Sequence, residues 1–169
     1  MTNSTTPDIP VQETISIEHA EGFRSHAYWD PIGQAFSVGF GQTGPDIGPN
    51  TVVTRQEATQ WLIGDETALT SQLFAALPWV VNLDSVRVGL CIDGAYNLGL
   101  SDFLQFHEAL AALKNNDWVG AAKGFRNSLW FEQVPDRVNT ICYMCVFGVW
   151  VEEYLSPTQT AELNAKLLS

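Results

Sequence analysis

The stretch EGFRSHAYWDPIG at residues 21–33, followed by SVGFGQT at residues 37–43, decides the fold of this chain. Glycine is dense in both segments, and apolar residues alternate with small or polar ones over residues 36–41. That pattern is typical of a short, tightly turned β-hairpin. The preceding residues favour a short helix that begins at Pro10 and ends near Gly22. A helix end and a hairpin are therefore expected to meet here.

Two carboxylates in this stretch, Glu21 and Asp30, are suited to acid–base chemistry. Glu21 lies at the predicted helix end and Asp30 enters the hairpin, so the two can face each other across a cleft in different environments. Different environments separate the pKa values of two carboxyl groups, and hydrolysis of a glycosidic bond needs such a pair. Taken alone, however, a Glu-Gly after a helix is usually a solvated helix end, and an Asp-Pro is usually a turn.

The next part of the chain predicts a loop and a long helix. Residues 44–50 are rich in Gly and Pro, as loops are. Thr54, followed three residues later by Glu57, has the pattern of a capping box that opens a helix running to about Leu73. The apolar residues that this helix carries are Ala58, Trp61, Leu62 and Leu69.

Beyond Pro78 the helical pattern continues almost to the end of the chain. Breaks are predicted at Gly99, at residues 115–117 and at Val134-Pro135. Apolar residues at helical spacing form two stripes, which are interpreted as core rather than as cofactor contacts. The first stripe comprises Phe103, Phe106, Leu110 and Leu113, and the second comprises Val138, Ile141, Cys145 and Val149.

These elements predict a single domain with an α+β fold, mainly helical with segregated strands. The chain has 169 residues, 46% of them apolar, which is enough for a sizeable core. A small Gly-rich lobe is expected over residues 21–54, a connecting helix over 55–74, and a larger helical lobe over 75–169 packed with the N-terminal helix. A cleft between the two lobes is the expected substrate site.

The cysteines and histidines predict neither disulfides nor a metal site. Cys91, Cys142 and Cys145 all lie in apolar stretches, and their odd number argues against a disulfide framework. Three buried free thiols are expected. The histidines at positions 19, 26 and 107 have no zinc-type spacing, so no metal and no cofactor are expected.

Charge and hydropathy exclude several functions. With 8 basic and 19 acidic residues the formal net charge is −11, which opposes binding to nucleic acid phosphates. The first ten residues lack the basic and apolar regions of a signal peptide, so none is expected. The longest apolar run, residues 141–150, is about half of what a bilayer span requires, so no membrane insertion is expected.

The motifs in residues 21–43 resemble the active-site signature of the phage lysozyme family, which includes the lysozymes of T-even coliphages. That signature is Glu-Gly, six or seven residues, an aromatic-x-Asp, a Gly turn, then Thr-x-Gly-x-Gly-His-Thr. The resemblance covers most of the chain from about Glu18 to Trp150. It continues through TGPDIGP (43–49), VTRQEA (53–58), LDSVR (83–87), AYNLG (95–99) and WFEQVPDR (130–137).

The resemblance implies a lysozyme-like fold and a peptidoglycan hydrolase that cleaves the β-1,4 bond between N-acetylmuramic acid and N-acetylglucosamine with inversion. Glu21 is then the general acid, and Asp30 activates water together with a hydroxyl residue, which aligns with Ser37. Counted from Asp30, Ser37 comes one residue late, so a bulge or insertion is expected within residues 33–36. Gln42 replaces the usual histidine, which implies loss of a histidine–carboxylate pair.

Two further residues match positions near the active site of the family. Arg137 corresponds to an arginine close to the catalytic glutamate, and Asn97 to an amide that lines the cleft. The alternatives are that Arg137 pairs with a surface carboxylate and that Asn97 only helps to end a helix. The tryptophans that could stack on sugars, although most are expected in the core, are Trp29, Trp79, Trp118, Trp130 and Trp150.

The resemblance also implies a biological context. It predicts a monomeric endolysin that waits in the host cytoplasm, reaches the periplasm and cell wall through a separate holin, and lyses the host cell. One alternative is a structural or sugar-binding protein without activity, which would not need both Glu21 and Asp30. Another is a toxin or a virion-entry muramidase, for which a chain of this length leaves little room for delivery domains. The net charge is unfavourable for an anionic wall.

Overall fold

A computed structural model describes residues 11–151 and 154–169. The tail predicted for residues 1–9 and the helix start predicted at Pro10 lie outside these ranges. A small sheet is followed by helices that make up most of the fold, with one short 3-10 helix at Pro78–Asn82. The other elements are α1 (Val11–Glu21), β1 (Arg24–Asp30), β2 (Ala35–Gly39), β3 (Gln42–Thr43), α2 (Arg55–Ala76), α3 (Ser85–Leu98), α4 (Leu100–Phe103), α5 (His107–Lys114), α6 (Trp118–Arg126), α7 (Leu129–Gln133), α8 (Pro135–Phe147) and α9 (Pro157–Leu168).

The three strands form an antiparallel sheet in the order β1-β2-β3. Asp30 pairs with Ala35 across the first turn, so pairing beside that turn is regular. Residues 35 and 36 pair regularly, so no bulge lies there, and an insertion relative to the family stays a prediction. A register shift lies in β1, where residues 25–27 stand opposite the single residue Val38. Residues 51–53 exchange backbone hydrogen bonds with this segment.

The capping box at the start of α2 is confirmed. Thr54 Oγ1 accepts a hydrogen bond from the Glu57 N–H at 3.2 Å, and the Glu57 carboxylate accepts from the Thr54 N–H at 2.8 Å. Ala58 and Leu62 are buried. Trp61 on the same helix is 42% exposed.

The helices after Pro78 have the breaks that the sequence predicts. Gly99 follows α3 with φ 79°, residues 115–117 separate α5 from α6, and α8 begins at Pro135. The first apolar stripe packs in the core. In the second stripe the prediction fails for Val149, which is 53% exposed, because α8 already ends at Phe147 and Gly148 turns the chain with φ 64°.

The three cysteines are buried free thiols, as expected. Burial raises the pKa of each, that of Cys145 to about 12, so the thiols stay protonated. Among the residues that the structure describes, no helix has the length and hydropathy needed to cross a bilayer. The predicted α+β class is confirmed, with a small sheet beside a mostly helical body.

Candidate active site

Glu21 is the last residue of α1, at the point where the chain turns towards the sheet. Gly22 follows with φ 70°, a conformation that glycine adopts readily, and its N–H donates to the Glu18 carbonyl at 3.1 Å. The side chain of Glu21 is 27% exposed. A carboxylate at a helix end can therefore reach solvent and the protein interior at once.

Arg137, the third residue of α8, holds Glu21 through its guanidinium group. Its Nη1 donates to Glu21 Oε1 at 2.7 Å, and its Nε donates to Asp93 Oδ1 at 2.6 Å. The arginine side chain is only 7% exposed. Hydrogen bonds between ions are strong when water is excluded, so this contact fixes the position of the Glu21 carboxylate.

Asp93 on α3 completes this cluster, and it was missed by the sequence analysis. Burial raises the pKa of Asp93, and the contact with Arg137 opposes that rise. Burial also disfavours the charged form of Arg137, but the carboxylates of Asp93 and Glu21 outweigh it and raise the pKa of Arg137. The sequence signal that could have indicated Asp93 is the position of an acidic residue in the largely apolar stretch of residues 83–98.

Two pockets, each close to 400 Å³, lie near Glu21. Glu21 lines one of them, which we call the Asn97 pocket. The other, the Trp61 pocket, begins at Gln42. Gly41, the residue before Gln42, lies close to Glu21, because a Cβ on Gly41 would be 3.9 Å from Glu21 Oε2. The Asn97 pocket is lined by Ala20, Glu21, Asn97, Gln133, Val134, Pro135, Asp136, Arg137 and Tyr154. The Trp61 pocket is lined by Gln42, Thr43, Gly44, Pro45, Asp46, Ile47, Thr51, Trp61 and Asp65.

The phenol of Tyr96 on α3 is influenced by a carboxylate from each of the two pockets. Burial raises the pKa of its phenol, and the charges of Glu21 and Asp65 raise it further. Glu21 and Asp65 line different pockets, so this phenol lies within electrostatic range of a carboxylate in each.

Asn97 lies in the last turn of α3 and lines the pocket that also contains Glu21. Its Oδ1 accepts a hydrogen bond of 2.6 Å from Trp130 Nε1. The backbone turn that ends the helix is made by Gly99. Asn97 is therefore oriented by a buried tryptophan, and its amide N–H group is the donor that remains.

Asp30 and Ser37 lie in the sheet and do not line either pocket. Asp30 Oδ1 accepts a hydrogen bond of 2.9 Å from the Ile32 N–H, so the carboxylate folds over its own turn. Gly33 permits this, because a Cβ there would lie 2.9 Å from Asp30 Oδ2. Ser37 is 3% exposed and pairs with Thr43 in the sheet.

Gln42 replaces the histidine of the family signature, and its side chain supports the β2–β3 turn. Its Oε1 accepts a hydrogen bond of 2.7 Å from the Phe40 N–H. Gly39, with φ 70°, leaves room for this amide, which a Cβ at that position would contact. The turn that lies against Glu21 is thus stabilised without a histidine–carboxylate pair.

Four of the five candidate tryptophans are buried or partly buried against the core, as expected, and Trp29 is the exception. Trp130 is buried, whereas Trp29 is largely exposed and packs edge-on against Phe36. Trp79, Trp118 and Trp150 are partly buried against the core. Trp61 was not among the candidates for sugar contact, although it lines a pocket. Within residues 11–151 and 154–169, no group of three or more His, Cys, Asp or Glu could hold a metal ion.

The small sheet, the helix-terminal carboxylate and the pocket that it lines define a lysozyme-like α+β protein. The sequence matches the Phage lysozyme family over residues 18–134, which is more than half of its length. This chain belongs to the phage lysozyme family. The match includes Glu21, Asp30, Ser37 and Asn97, whereas Arg137 follows its end.

Two curated relatives agree with this assignment. The "Peptidoglycan hydrolase gp36" of Pseudomonas phage phiKMV is 30% identical over 118 residues, which are 69% of this chain and 13% of that protein. The "Probable T4-type lysozyme 1" of Dictyostelium discoideum is 33% identical over 60 residues, 36% of this chain and 35% of that protein. The matched region is thus a minor part of each relative.

Proposed function

We propose that this chain is a peptidoglycan hydrolase that cleaves the β-1,4 bond between N-acetylmuramic acid and N-acetylglucosamine. The observation that carries the proposal is the position of Glu21, which Arg137 holds at 2.7 Å in the lining of the Asn97 pocket and which lies next to Gly41, the neighbour of a residue of the Trp61 pocket. We infer that the two pockets belong to one groove. An enzyme that cuts within a polymer needs a groove that extends on both sides of its acid. Membership of the phage lysozyme family supports the same reaction.

In the proposed reaction Glu21 donates its proton to the glycosidic oxygen as the bond to the anomeric carbon breaks. A water molecule attacks that carbon from the opposite face and transfers its proton to Asp30. Ser37 orients this water through its hydroxyl group. The product has inverted configuration, and the two carboxyl groups must then be about 6.5–9.5 Å apart in the complex with substrate.

Asp30 must be released from its turn to act in this way. Its Oδ1 accepts a hydrogen bond from the backbone N–H of Ile32, two positions further along the chain. A single exposed hydrogen bond contributes little net free energy, because water can replace it. Asn97 and Arg137 assist from the larger lobe. Arg137 orients Glu21, and the Asn97 amide donates to an N-acetyl oxygen of the substrate.

The biological context that we propose is lysis of a bacterial host by a monomeric endolysin without a cofactor. In this proposal the protein leaves the host cytoplasm through a separate holin and acts in the periplasm on the wall. A second context is a lysozyme unit within a larger protein, such as a virion-entry enzyme. That context is favoured by the match to 13% of the much longer phage phiKMV hydrolase.

The test is incubation of the protein with purified sacculi, with turbidity and mass spectrometry as readouts. Fragments with reducing N-acetylmuramic acid ends are expected. Fragments with anhydro-muramyl ends would instead identify a transglycosylase, because that reaction proceeds without water. Binding to sacculi without release of fragments would favour the non-enzymatic alternative.

A further inference from the structure

Asp93 is a buried acid in the middle of α3 that the proposed mechanism does not use. It lies within the continuously buried run of residues 86–95, and its side chain is almost fully enclosed. An ionised carboxylate in such surroundings is strongly unfavourable unless it is paired. Its hydrogen-bond partner is Arg137, through Nε at 2.6 Å.

The same guanidinium contacts Glu21 through Nη1 at 2.7 Å. One cation therefore joins two carboxylates, of which Asp93 is enclosed and Glu21 faces the groove. The charges of Arg137 and Asp93 cancel. Without Asp93, Glu21 would lie against an unbalanced cation in a partly dry site.

A general acid must carry its proton when the substrate binds, and an unbalanced cation in contact with a carboxyl group favours loss of that proton. We propose that Asp93 is a positioning residue for the general acid: it fixes the guanidinium of Arg137 and balances its charge, so that Arg137 orients Glu21 without trapping it in the ionised form. The catalytic consequence rests on the proposed function, whereas the electrostatic coupling does not.

Other titratable groups act on the cluster of Glu21, Arg137 and Asp93 or on its neighbours. On α1, burial raises the pKa of Glu13 well above its usual value, and Asp93 and Glu66 raise it further. On α2, burial raises the pKa of Glu66 to about 7. On α3, Tyr96 stays a neutral phenol. The remaining groups are Glu18 on α1, Asp65 on α2, Asp136 on α8 and Tyr154 before α9.

Asp93→Asn is the direct test, because it removes the charge and keeps the shape and an acceptor for Arg137. Carbon-13 NMR of the substrate-free protein follows the titration of the Glu21 carboxyl group. Its midpoint is expected to move to lower pH by about one unit or more, the scale of an opposite charge in contact. On sacculi the alkaline side of the pH–activity profile should move in the same direction, with kcat lowered and KM for soluble fragments little changed.

Asp102→Asn is the matched control, because it removes one negative charge from an exposed site on α4. It should change neither the Glu21 titration nor the activity profile. A general effect of the net charge would move both variants alike, and that result would contradict the proposal.

Arg137→Gln and the double variant Arg137→Gln/Asp93→Asn complete the cycle. In Arg137→Gln the Asp93 charge is unbalanced, so the Glu21 midpoint should move to higher pH. The double variant should return towards the wild-type midpoint. The double variant removes both members of a buried ion pair, which is less destabilising than removal of one. If Asp93→Asn alone does not fold, the Glu21 midpoints of the double variant and of Arg137→Gln can still be compared.

An unchanged Glu21 titration in Asp93→Asn, or a shift in the same direction in Arg137→Gln, would show that Asp93 forms only a structural ion pair. If the two variants show the opposite shifts of the Glu21 midpoint while the wild-type protein does not cleave sacculi, that result would refute the proposed function and leave the electrostatic coupling established. The two failures are therefore distinguishable.

Discussion

Thr14 Oγ1 donates a hydrogen bond of 2.6 Å to Glu66 Oε2 and so joins α1 to α2. Glu66 is completely buried, and burial raises the pKa of its carboxyl group from 4.5 to about 7, against the lowering effect of Thr14. In the unfolded chain a glutamate titrates near its usual value. The folded protein therefore holds a proton between about pH 4.5 and 7 that the unfolded chain has already lost.

The stability of the protein is expected to fall as the pH rises through this window, because the folded state binds more protons than the unfolded state there. The shift corresponds to a loss of up to about 3 kcal/mol between pH 4.5 and 7. Glu66→Gln should flatten the dependence of the unfolding midpoint on pH, as measured by thermal denaturation. The exposed change Glu132→Gln should leave the slope as it is. A slope that is equally steep in Glu66→Gln would mean that this carboxyl group is ionised in the folded protein.

Glu21→Gln should reduce the release of fragments from sacculi by at least about a hundredfold, the scale of general acid catalysis. The fold should be retained, since Asp93 still pairs with Arg137. The unfolding midpoint is expected to be unchanged or higher. Glu108→Gln on α5 is the exposed control. Lysis at nearly the wild-type rate would remove Glu21 from the mechanism.

Ser37→Ala tests the hydroxyl group that we assign to the attacking water. Turnover of soluble glycan fragments should fall strongly, while their binding, measured by calorimetry, should change little. The small alanine side chain fits the buried position of Ser37 between Tyr28 and Thr43. Ser71→Ala on the exposed side of α2 controls for the loss of a hydroxyl group. Full activity of Ser37→Ala would show that another group orients the water.

Trp61→Ala tests whether the groove extends into the Trp61 pocket. An exposed indole presents an electron-rich face on which the C–H groups of a sugar ring can stack. We expect KM for oligomeric fragments to rise roughly tenfold, which corresponds to about 1.4 kcal/mol, with kcat little affected. Ile63→Ala removes a similarly exposed apolar side chain from α2 outside the pocket and should have no effect. Equal KM values for both variants would restrict the substrate site to the Asn97 pocket.

Salt dependence follows from the net charge of −11 and from the residues around the groove. Arg137 is the single cation among the residues that line the two pockets, which also include Asp46, Asp65 and Asp136. Repulsion from the anionic wall should weaken as the Debye length falls from about 30 Å at 0.01 M salt to about 10 Å at 0.1 M. Initial lysis rates on sacculi should therefore rise over this range. A steady fall of lysis with salt would show that local attraction governs the encounter.

Local sequence patterns predicted the elements of the fold well. The capping box of Thr54 and Glu57, the helix ends at Gly22 and Gly99 and the break before Pro135 are each encoded within a few residues, because turns and caps depend on local backbone chemistry. The error concerns burial. Val149 fits the apolar pattern of a core stripe, but it is exposed because α8 ends at Phe147, before this residue.

The sequence by itself determined the class of fold, the family and the candidate acid, since Glu21-Gly22 and the glycines of residues 33–41 combine helix-end and turn chemistry with a motif of fixed spacing. Only the tertiary structure decided what surrounds that acid. Glu21, Asp93 and Arg137 are separated by 72 and 44 positions along the chain and meet within 2.7 Å. A buried ion cluster depends on how helices pack and exclude water, and no local pattern contains that information.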